Sequence, residues 1–233
     1  FADWSPQSGL ASYSHPFISQ LDVFSEQAFY VNCFNRRLGL AVSTDPEQFL
    51  FNGHLAKLQA APHTGANFPF RIEYGYHFDS GLLGQFLREH ALTLGVTHHA
   101  LTITQAEQHP DGRIAAVVSN DGQRITGDLF IDCSGFQSLL LQKTLGVKFN
   151  HFASNLFNNA AVVLPTATMP DLPAETKATA LSNGWAWQIP LLHRTGNGYV
   201  YSSDFINKDQ AELELRRHLG LENDAIVARH LTM

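Results

Sequence analysis

The stretch Trp185-Ala186-Trp187-Gln188-Ile189-Pro190 places two of the chain's three tryptophans in alternation. Successive side chains of a β-strand point to opposite faces, so a strand here puts Trp185, Trp187 and Ile189 on one face. Pro190 limits how the strand continues, because proline has no backbone N–H to donate. The pattern predicts a strand with a broad aromatic face, and these residues alone allow that face to be either protein core or the wall of a site.

The sequence around this stretch predicts a β-rich region with Pro-rich breaks. We expect a strand over Ala160–Leu164 and a hairpin whose strands are Trp185–Leu192 and Tyr199–Ser203. The run Thr195-Gly196-Asn197-Gly198 is typical of the loop between such strands. An amphipathic helix is predicted over Asp209–Leu219, ending at Gly220.

The middle of the chain predicts a helix followed by a three-stranded antiparallel ribbon. Asp79 or Ser80 can cap the helix, with Asp79 interpreted as a cap rather than a ligand, and Gly95 ends it. The ribbon strands are predicted within Val96–Glu107, Ile114–Val118 and Gln123–Ile125, with turns at Pro110–Gly112 and Asn120–Gly122.

An apolar run, Leu129–Cys133, follows the ribbon and stops at Ser134-Gly135. A solid apolar run of this kind is typical of a buried parallel strand, and the carboxyl end of such a strand is where open α/β sheets bind ligands. A helix is predicted next, over Phe136–Leu145. This order of elements is typical of the later half of a FAD-binding Rossmann-like domain.

The first seventy residues are irregular, with one helix predicted from Pro46 to Leu58 and Asp45 as its N-cap. The chain begins at Phe1 without an initiator Met and closes on Met233 without a tail, which predicts a piece of a longer protein.

Composition narrows the classes of function. The chain has 233 residues, 44% of them hydrophobic, which is enough for a buried core. A net charge of −6 favours neither nucleic acid nor an anionic membrane as a partner. No apolar run approaches the length of a membrane span. Cys33 and Cys133 lie far apart, which suits the cytoplasm, and the histidines lack metal-ligand spacing, so we expect no metal site.

Six segments, in order along the chain, resemble the flavin-dependent halogenases of the tryptophan halogenase family. They are F-x-x-W at Phe1–Trp4, H-P-F at His15–Phe17, Y-H-F-D at Tyr76–Asp79, D-L-F-I-D-C-S-G at Asp128–Gly135, W-x-W-x-I-P at Trp185–Pro190 and G-Y-V-Y-S-S at Gly198–Ser203. The tryptophan hexapeptide is the specific element, and the others corroborate it.

The resemblance implies an α/β fold that contains the later half of a FAD/NAD(P)-binding Rossmann-like domain with an attached β-rich substrate-binding region. Residues 1–75 are then a substrate-side segment, 76–150 the later half of the FAD-binding domain, and 151–233 the β-rich segment with the tryptophan hairpin. The implied activity is halogenation of an electron-rich arene, such as tryptophan or indole. FAD reduced by a separate flavin reductase, O2, and chloride or bromide as co-substrate would be required.

The resemblance also implies roles for particular residues. Trp185, Trp187, Ile189 and Pro190 match a wall beside the flavin that keeps organic substrates away from it. The cofactor-binding strand and turn correspond to Ile131, Asp132, Cys133, Ser134 and Gly135. His15 and Phe17 match positions that contact the arene.

Parts of the family's pattern are missing from the sequence. The GxGxxG loop is absent, and the catalytic lysine and glutamate are expected outside the chain, so no catalytic residue is assigned within it and the 233 residues alone are expected to be inactive. Two alternatives stay open. One is a FAD-dependent aromatic monooxygenase of the same fold, and the other is a non-catalytic homologue that binds a small molecule.

Overall fold

A computed structural model describes residues 1–232 and shows an α/β fold with two antiparallel sheets in two compact units. One unit combines residues 1–79 with 158–232, and the other spans 80–157. The helices are α1 (Glu26–Arg37), α2 (Phe51–Lys57), α3 (Ser80–Thr93) and α4 (Lys208–Leu219). The strands are β1 (Ile103–Gln108), β2 (Ile114–Ser119), β3 (Arg124–Thr126), β4 (Ala160–Val163), β5 (Lys177–Leu181), β6 (Gly184–Pro190), β7 (Thr195–Tyr201) and β8 (Arg229–Thr232).

The first unit is built on a five-stranded sheet in the order β5-β6-β7-β4-β8. All its paired strands run antiparallel, and β6 carries the tryptophan hexapeptide, as predicted. Near the start of the chain, Ala2 pairs with the outer edge of β5: its N–H donates to Ala178 O at 2.8 Å, and Ala180 N donates to Ala2 O at 3.0 Å.

The predicted hairpin loop at Thr195–Gly198 is wrong, because these residues lie inside β7. The turn is instead Leu191–Arg194, closed by a hydrogen bond of 2.9 Å from Leu191 N to Arg194 O. The sequence of Thr195–Gly198 is typical of a turn, because two of its four residues are glycines. In the sheet they serve a different purpose, since they leave room above the strand for the side chains of β6.

One face of this sheet, which we call the core face, is sealed by α4. Tyr199, Val162 and Ala186 project from the strands and pack with Ala211 and Leu215 of the helix, all of them buried. The predicted helix is confirmed, including its end at Gly220, which has φ +69. Its start is stabilised by a capping box between Asn207 and Gln210.

A buried tyrosine fixes the sheet to this helix. The hydroxyl of Tyr199 donates to Glu214 Oε2 at 2.9 Å and accepts from the N–H of Asn183 at 3.1 Å. Burial, followed by the bond to the Glu214 carboxylate, raises the pKa of Tyr199. The turn before β6 is therefore fixed to α4 by hydrogen bonds.

The single helix predicted over Pro46–Leu58 is divided in the structure. A short 3-10 turn at Pro46–Gln48 has Asp45 as its cap, as predicted, and α2 then begins separately at Phe51. The buried carboxylate of Asp22 accepts the N–H of Phe51 at 2.7 Å, so α2 receives its N-terminal cap from a residue distant in sequence.

In the second unit, the helix and the three-stranded ribbon are confirmed. Helix α3 begins directly after Asp79, and Gly95 beyond its end has φ +83. The order β1-β2-β3 is antiparallel with turns at the predicted places, although β1 begins at Ile103 rather than Val96.

The predicted buried strand at Leu129–Cys133 is wrong. The segment has no strand structure, and Leu129 and Ile131 are 80% and 79% exposed. A parallel strand needs hydrogen-bonded neighbours and cover on both faces, and no strand among residues 1–232 pairs with this one. The following helix is a 3-10 turn at Gly135–Gln137 and a π-helix at Leu139–Thr144, rather than one α-helix over Phe136–Leu145.

Within residues 1–232, no helix has the length and apolar character required to cross a bilayer.

Candidate functional site

Trp185, Trp187 and Ile189 form what we call the aromatic wall, on the sheet face opposite the core. The two indole rings lie 6.0 Å apart between centroids and are inclined at 55°. Ala186, between them in sequence, is buried on the core face, whereas both tryptophans are partly exposed. The alternation of the strand has thus placed both indoles on the face opposite the one that packs against α4.

The wall is shaped by two glycines on the neighbouring strand. Gly198 pairs with Trp187 and Gly196 pairs with Ile189. A Cβ at Gly198 would overlap the six-membered ring of Trp187, so the indole lies directly on the backbone of β7. Only glycine permits this approach, and its place in the strand therefore sets the orientation of the ring.

Pro190 ends the hexapeptide on the other face. It is buried and pairs with Thr195, on the side of Ala186 rather than that of the indoles. Of the four residues predicted for the wall, three share a face, and Pro190 instead borders the turn at Leu191–Arg194.

A charged group that sequence analysis missed lies at the turn end of the wall. Arg194 donates from Nη2 and Nε to Asp79 Oδ2 at 2.8 and 3.2 Å, and His193 Nε2 lies 3.3 Å from the same oxygen. The two partners of the ion pair are 115 residues apart in sequence. No spacing motif links positions so distant, so the sequence held no signal for the pair.

The two residues predicted to contact substrate lie apart from the wall in sequence and are both exposed. The His15 ring meets that of Phe1 edge-on, with centroids 6.2 Å apart. Phe17 is 60% exposed and lies over the backbone of Gly75, at 3.4 Å from the position of a Cβ there. Their accessibility is compatible with a ligand, and no contact between either ring and the indoles of the wall is observed.

The predicted cofactor-binding residues form an exposed turn, with Asp132 as its organiser. Its carboxylate accepts Ser134 Oγ at 2.6 Å and the N–H groups of Ser134, Leu140 and Leu141 at 3.1, 2.8 and 3.2 Å. Bonding from the Ser134 side chain and backbone lowers the pKa of Asp132 to about 2. Asp132 therefore acts as a helix cap, and both oxygens of its carboxylate already accept hydrogen bonds.

The backbone of the turn around Asp132 is open to solvent at Gly135. Gly135 has φ +62, and nothing lies within 4 Å of the position that a Cβ would occupy. A flat group can therefore approach this backbone closely. Ile131 and the free thiol of Cys133 are exposed beside it.

Among residues 1–232, no group of three or more histidine, cysteine and acidic side chains is placed to hold a metal ion.

Comparison with known proteins identifies the family. The family model for tryptophan halogenase matches residues 1–233. The chain belongs to the tryptophan halogenase family. A tryptophan 6-halogenase of Streptomyces toxytricini is 37% identical over 181 residues, which are 76% of this chain and 34% of that relative. A 7-chloro-L-tryptophan 6-halogenase of Kutzneria sp. (strain 744) is 38% identical, over 80% of this chain and 36% of its own length.

Solved structures agree with this family. A tryptophan halogenase from Shewanella frigidimarina matches with a TM-score of 0.80 and 34% identity, covering 98% of this chain and 44% of that one. A flavin-dependent halogenase from Xanthomonas campestris matches with a TM-score of 0.76 and 33% identity, covering 89% and 41%. The chain spans about a third of the length of the curated relatives that it matches.

Proposed function

We propose that the protein halogenates an electron-rich aromatic substrate of the tryptophan or indole type, using reduced FAD, O2 and chloride or bromide. The observation that carries this proposal is the aromatic wall, whose two indoles lie on the face of the sheet away from the core. Membership of the tryptophan halogenase family and tryptophan halogenases among its relatives support it.

FAD would be held in part by the turn Ile131–Gly135, and when bound it would activate O2 for oxidation of the halide. The backbone at Gly135 would accept the close approach of the cofactor, while Asp132 keeps the turn in shape through its hydrogen bonds. We assign residues 76–150 to the FAD-binding half of the protein on this basis. A separate flavin reductase would supply the reduced cofactor, in the cytoplasm, which suits the two free cysteines.

The role of the aromatic wall would be exclusion. Trp185 and Trp187 present an apolar surface, because their rings lie side by side and that of Trp187 rests on the β7 backbone at Gly198. Such a surface would keep bulky organic molecules away from the flavin. On the substrate side, His15 would pack against the arene, and Phe17 would stack on it.

The test is a product assay on the whole protein with FAD, a flavin reductase, NADH, bromide, and tryptophan or indole. We expect mass spectrometry to show the bromine isotope doublet in the product. A product that gains oxygen instead would identify a monooxygenase. A protein that binds indole and yields neither a halogenated nor an oxygenated product would be a non-catalytic binding homologue.

A further inference from the structure

The ion pair between Arg194 and Asp79 joins the turn at the end of the aromatic wall to a distant part of the same unit. Both guanidinium nitrogens that face Asp79 contact one oxygen, Oδ2, at 2.8 and 3.2 Å. The side chain of Asp79 is 17% exposed and that of Arg194 37%. Loss of the guanidinium would therefore remove two charge-assisted hydrogen bonds from a carboxylate that is largely shielded from solvent.

The backbone of Arg194 belongs to the β6–β7 turn. Its carbonyl accepts the N–H of Leu191 at 2.9 Å, and the next residue, Thr195, exchanges hydrogen bonds with Thr166. From that point the two strands pair without a break, through Ile189 with Gly196 to Trp187 with Gly198. The turn is therefore joined by an unbroken ladder to the glycine on which the Trp187 ring lies.

The guanidinium also lies on the wall side of the sheet. Its Nη1 is 3.4 Å from the position that a Cβ would take at Gly196, and Gly196 shares the face of Ile189. A Cβ at Gly196 would be in ordinary contact with the guanidinium, so Arg194 packs against this glycine. The carboxylate of Asp79 holds the guanidinium in this place, so that Arg194 supports the wall at its turn end.

We infer that Arg194 and Asp79 are positioning residues for the aromatic wall. Arg194 holds the turn, and with it Gly196 and Gly198 of β7, in register with β6. Asp79 fixes the direction of the guanidinium. Neither residue acts on substrate. The consequence for catalysis rests on the proposed function, whereas the effect on Trp187 itself does not.

Fluorine NMR on the whole protein, labelled with fluorotryptophan, tests the structural part directly. Trp185→Phe and Trp187→Phe assign the two resonances. We expect Arg194→Gln to shift or broaden the Trp187 resonance, Arg194→Lys to do so less, and Asp79→Asn to resemble Arg194→Gln. Because Asp79 directly precedes α3, the Arg194 variants are the decisive ones.

Arg113→Gln is the matched control, since Arg113 pairs with Asp111 at 2.9 Å in another β-hairpin turn and is 79% exposed. It should leave the Trp187 resonance unchanged. An unchanged resonance in folded Arg194→Gln would overturn the inference. So would an equal change in Arg113→Gln, because the response would then be unspecific.

Turnover tests the consequence for catalysis. In Arg194→Gln, we expect the fraction of NADH consumption that yields halogenated product to fall several-fold, with little change in the KM for the arene. A changed KM with unchanged coupling would overturn the positioning role, because it would indicate direct contact with substrate. If the unaltered protein makes no halogenated product, the proposed function fails, and the NMR result still decides whether the ion pair positions the wall.

Discussion

The two faces of the five-stranded sheet are made by alternate residues of the same strands, and α4 covers only one of them. The core face carries Tyr199, Val162 and Ala186, each at most 1% exposed and covered by α4. The wall face carries two partly exposed indoles, and that of Trp187 lies over Gly198. Since α4 supplies the core, the larger aromatic side chains on the other face are not needed for it. A strand can thus serve stability with one set of residues and a site with the other.

The largest effect should follow from a cavity on the core face. We expect Leu215→Ala to lower the free energy of unfolding by about 2–5 kcal/mol, because Leu215 is almost fully buried against the sheet. Urea denaturation followed by tryptophan fluorescence measures it. Leu213→Ala, on the same helix but 40% exposed, is the matched control and should cost much less. Equal losses would contradict the assignment of the core to this face.

Substitutions at Gly198 and Gly196 test how closely the side chains of the wall pack against β7. Gly198→Ala should displace the Trp187 ring and destabilise the protein by about 1–3 kcal/mol, since the new methyl group would occupy the ring's position. Gly196→Ala, whose nearest neighbour is the far end of Arg194 at 3.4 Å, should be milder. Thermal unfolding and near-UV circular dichroism would show both effects. An undisturbed indole signal in Gly198→Ala would contradict the packing of the ring on β7.

Two adjacent valines on β4 separate the faces most directly. Val162 is fully buried on the core face, whereas Val163 is partly exposed on the wall face. We expect Val162→Ala to cost about 1.6 kcal/mol, from two methyl groups at about 0.8 kcal/mol each, and Val163→Ala distinctly less. Equilibrium denaturation of both variants under one set of conditions gives the difference, and a reversed order would exchange the two faces.

Loss of the wall should change chemistry more than stability. In Trp185→Ala and Trp187→Ala of the whole protein, we expect halogenated product per NADH to fall about tenfold, equivalent to about 1.4 kcal/mol, while FAD still binds. Mass spectrometry and NADH consumption measure this coupling. Leu192→Ala removes an 85% exposed apolar side chain from the same hairpin and should leave it unchanged. An unchanged yield of halogenated product per NADH in both tryptophan variants would show that the wall has no part in the mechanism.

The smallest effect concerns the hydroxyl of Tyr199 and depends on pH. Its folded pKa is raised above the unfolded value of about 10, so the stability that it contributes is complete below about pH 10 and declines at higher pH, where the unfolded state ionises first. Tyr199→Phe should cost about 1 kcal/mol at neutral pH, by loss of the bond to Glu214, and should flatten the decline. Denaturation midpoints from about pH 7 to 11 test it. Tyr201, whose pKa is also raised by burial, accounts for a residual slope.

Elements with local signals were predicted well. Helix α4 has an amphipathic pattern and a terminal glycine in the sequence, and β2 lies between two turns, so both were predicted close to their observed bounds. The hairpin loop was misplaced because Gly196 and Gly198 indicate a turn by composition, while their actual purpose depends on a partner strand. The division of the helix at Phe51 was likewise hidden, since its cap, Asp22, is remote in sequence.

The residues of the candidate site likewise differ in how far the sequence predicted them. Alternation alone grouped Trp185, Trp187 and Ile189 on one face, and the motifs alone led to the family. The four hydrogen bonds of Asp132 show that it is a helix cap. The motif of small residues around it did not indicate this role. The ion pair of Arg194 with Asp79 depended entirely on chain folding.

By itself, the sequence determined the alternation of the strands, the end of α4 at Gly220 and the family, because each of these depends on residues close together in the chain. Only the tertiary structure decided which face became core, since that choice follows from the packing of Ala211 and Leu215 on the sheet. It also decided that Leu129–Cys133 is not a strand, because an apolar run becomes one only where other strands complete its hydrogen bonds.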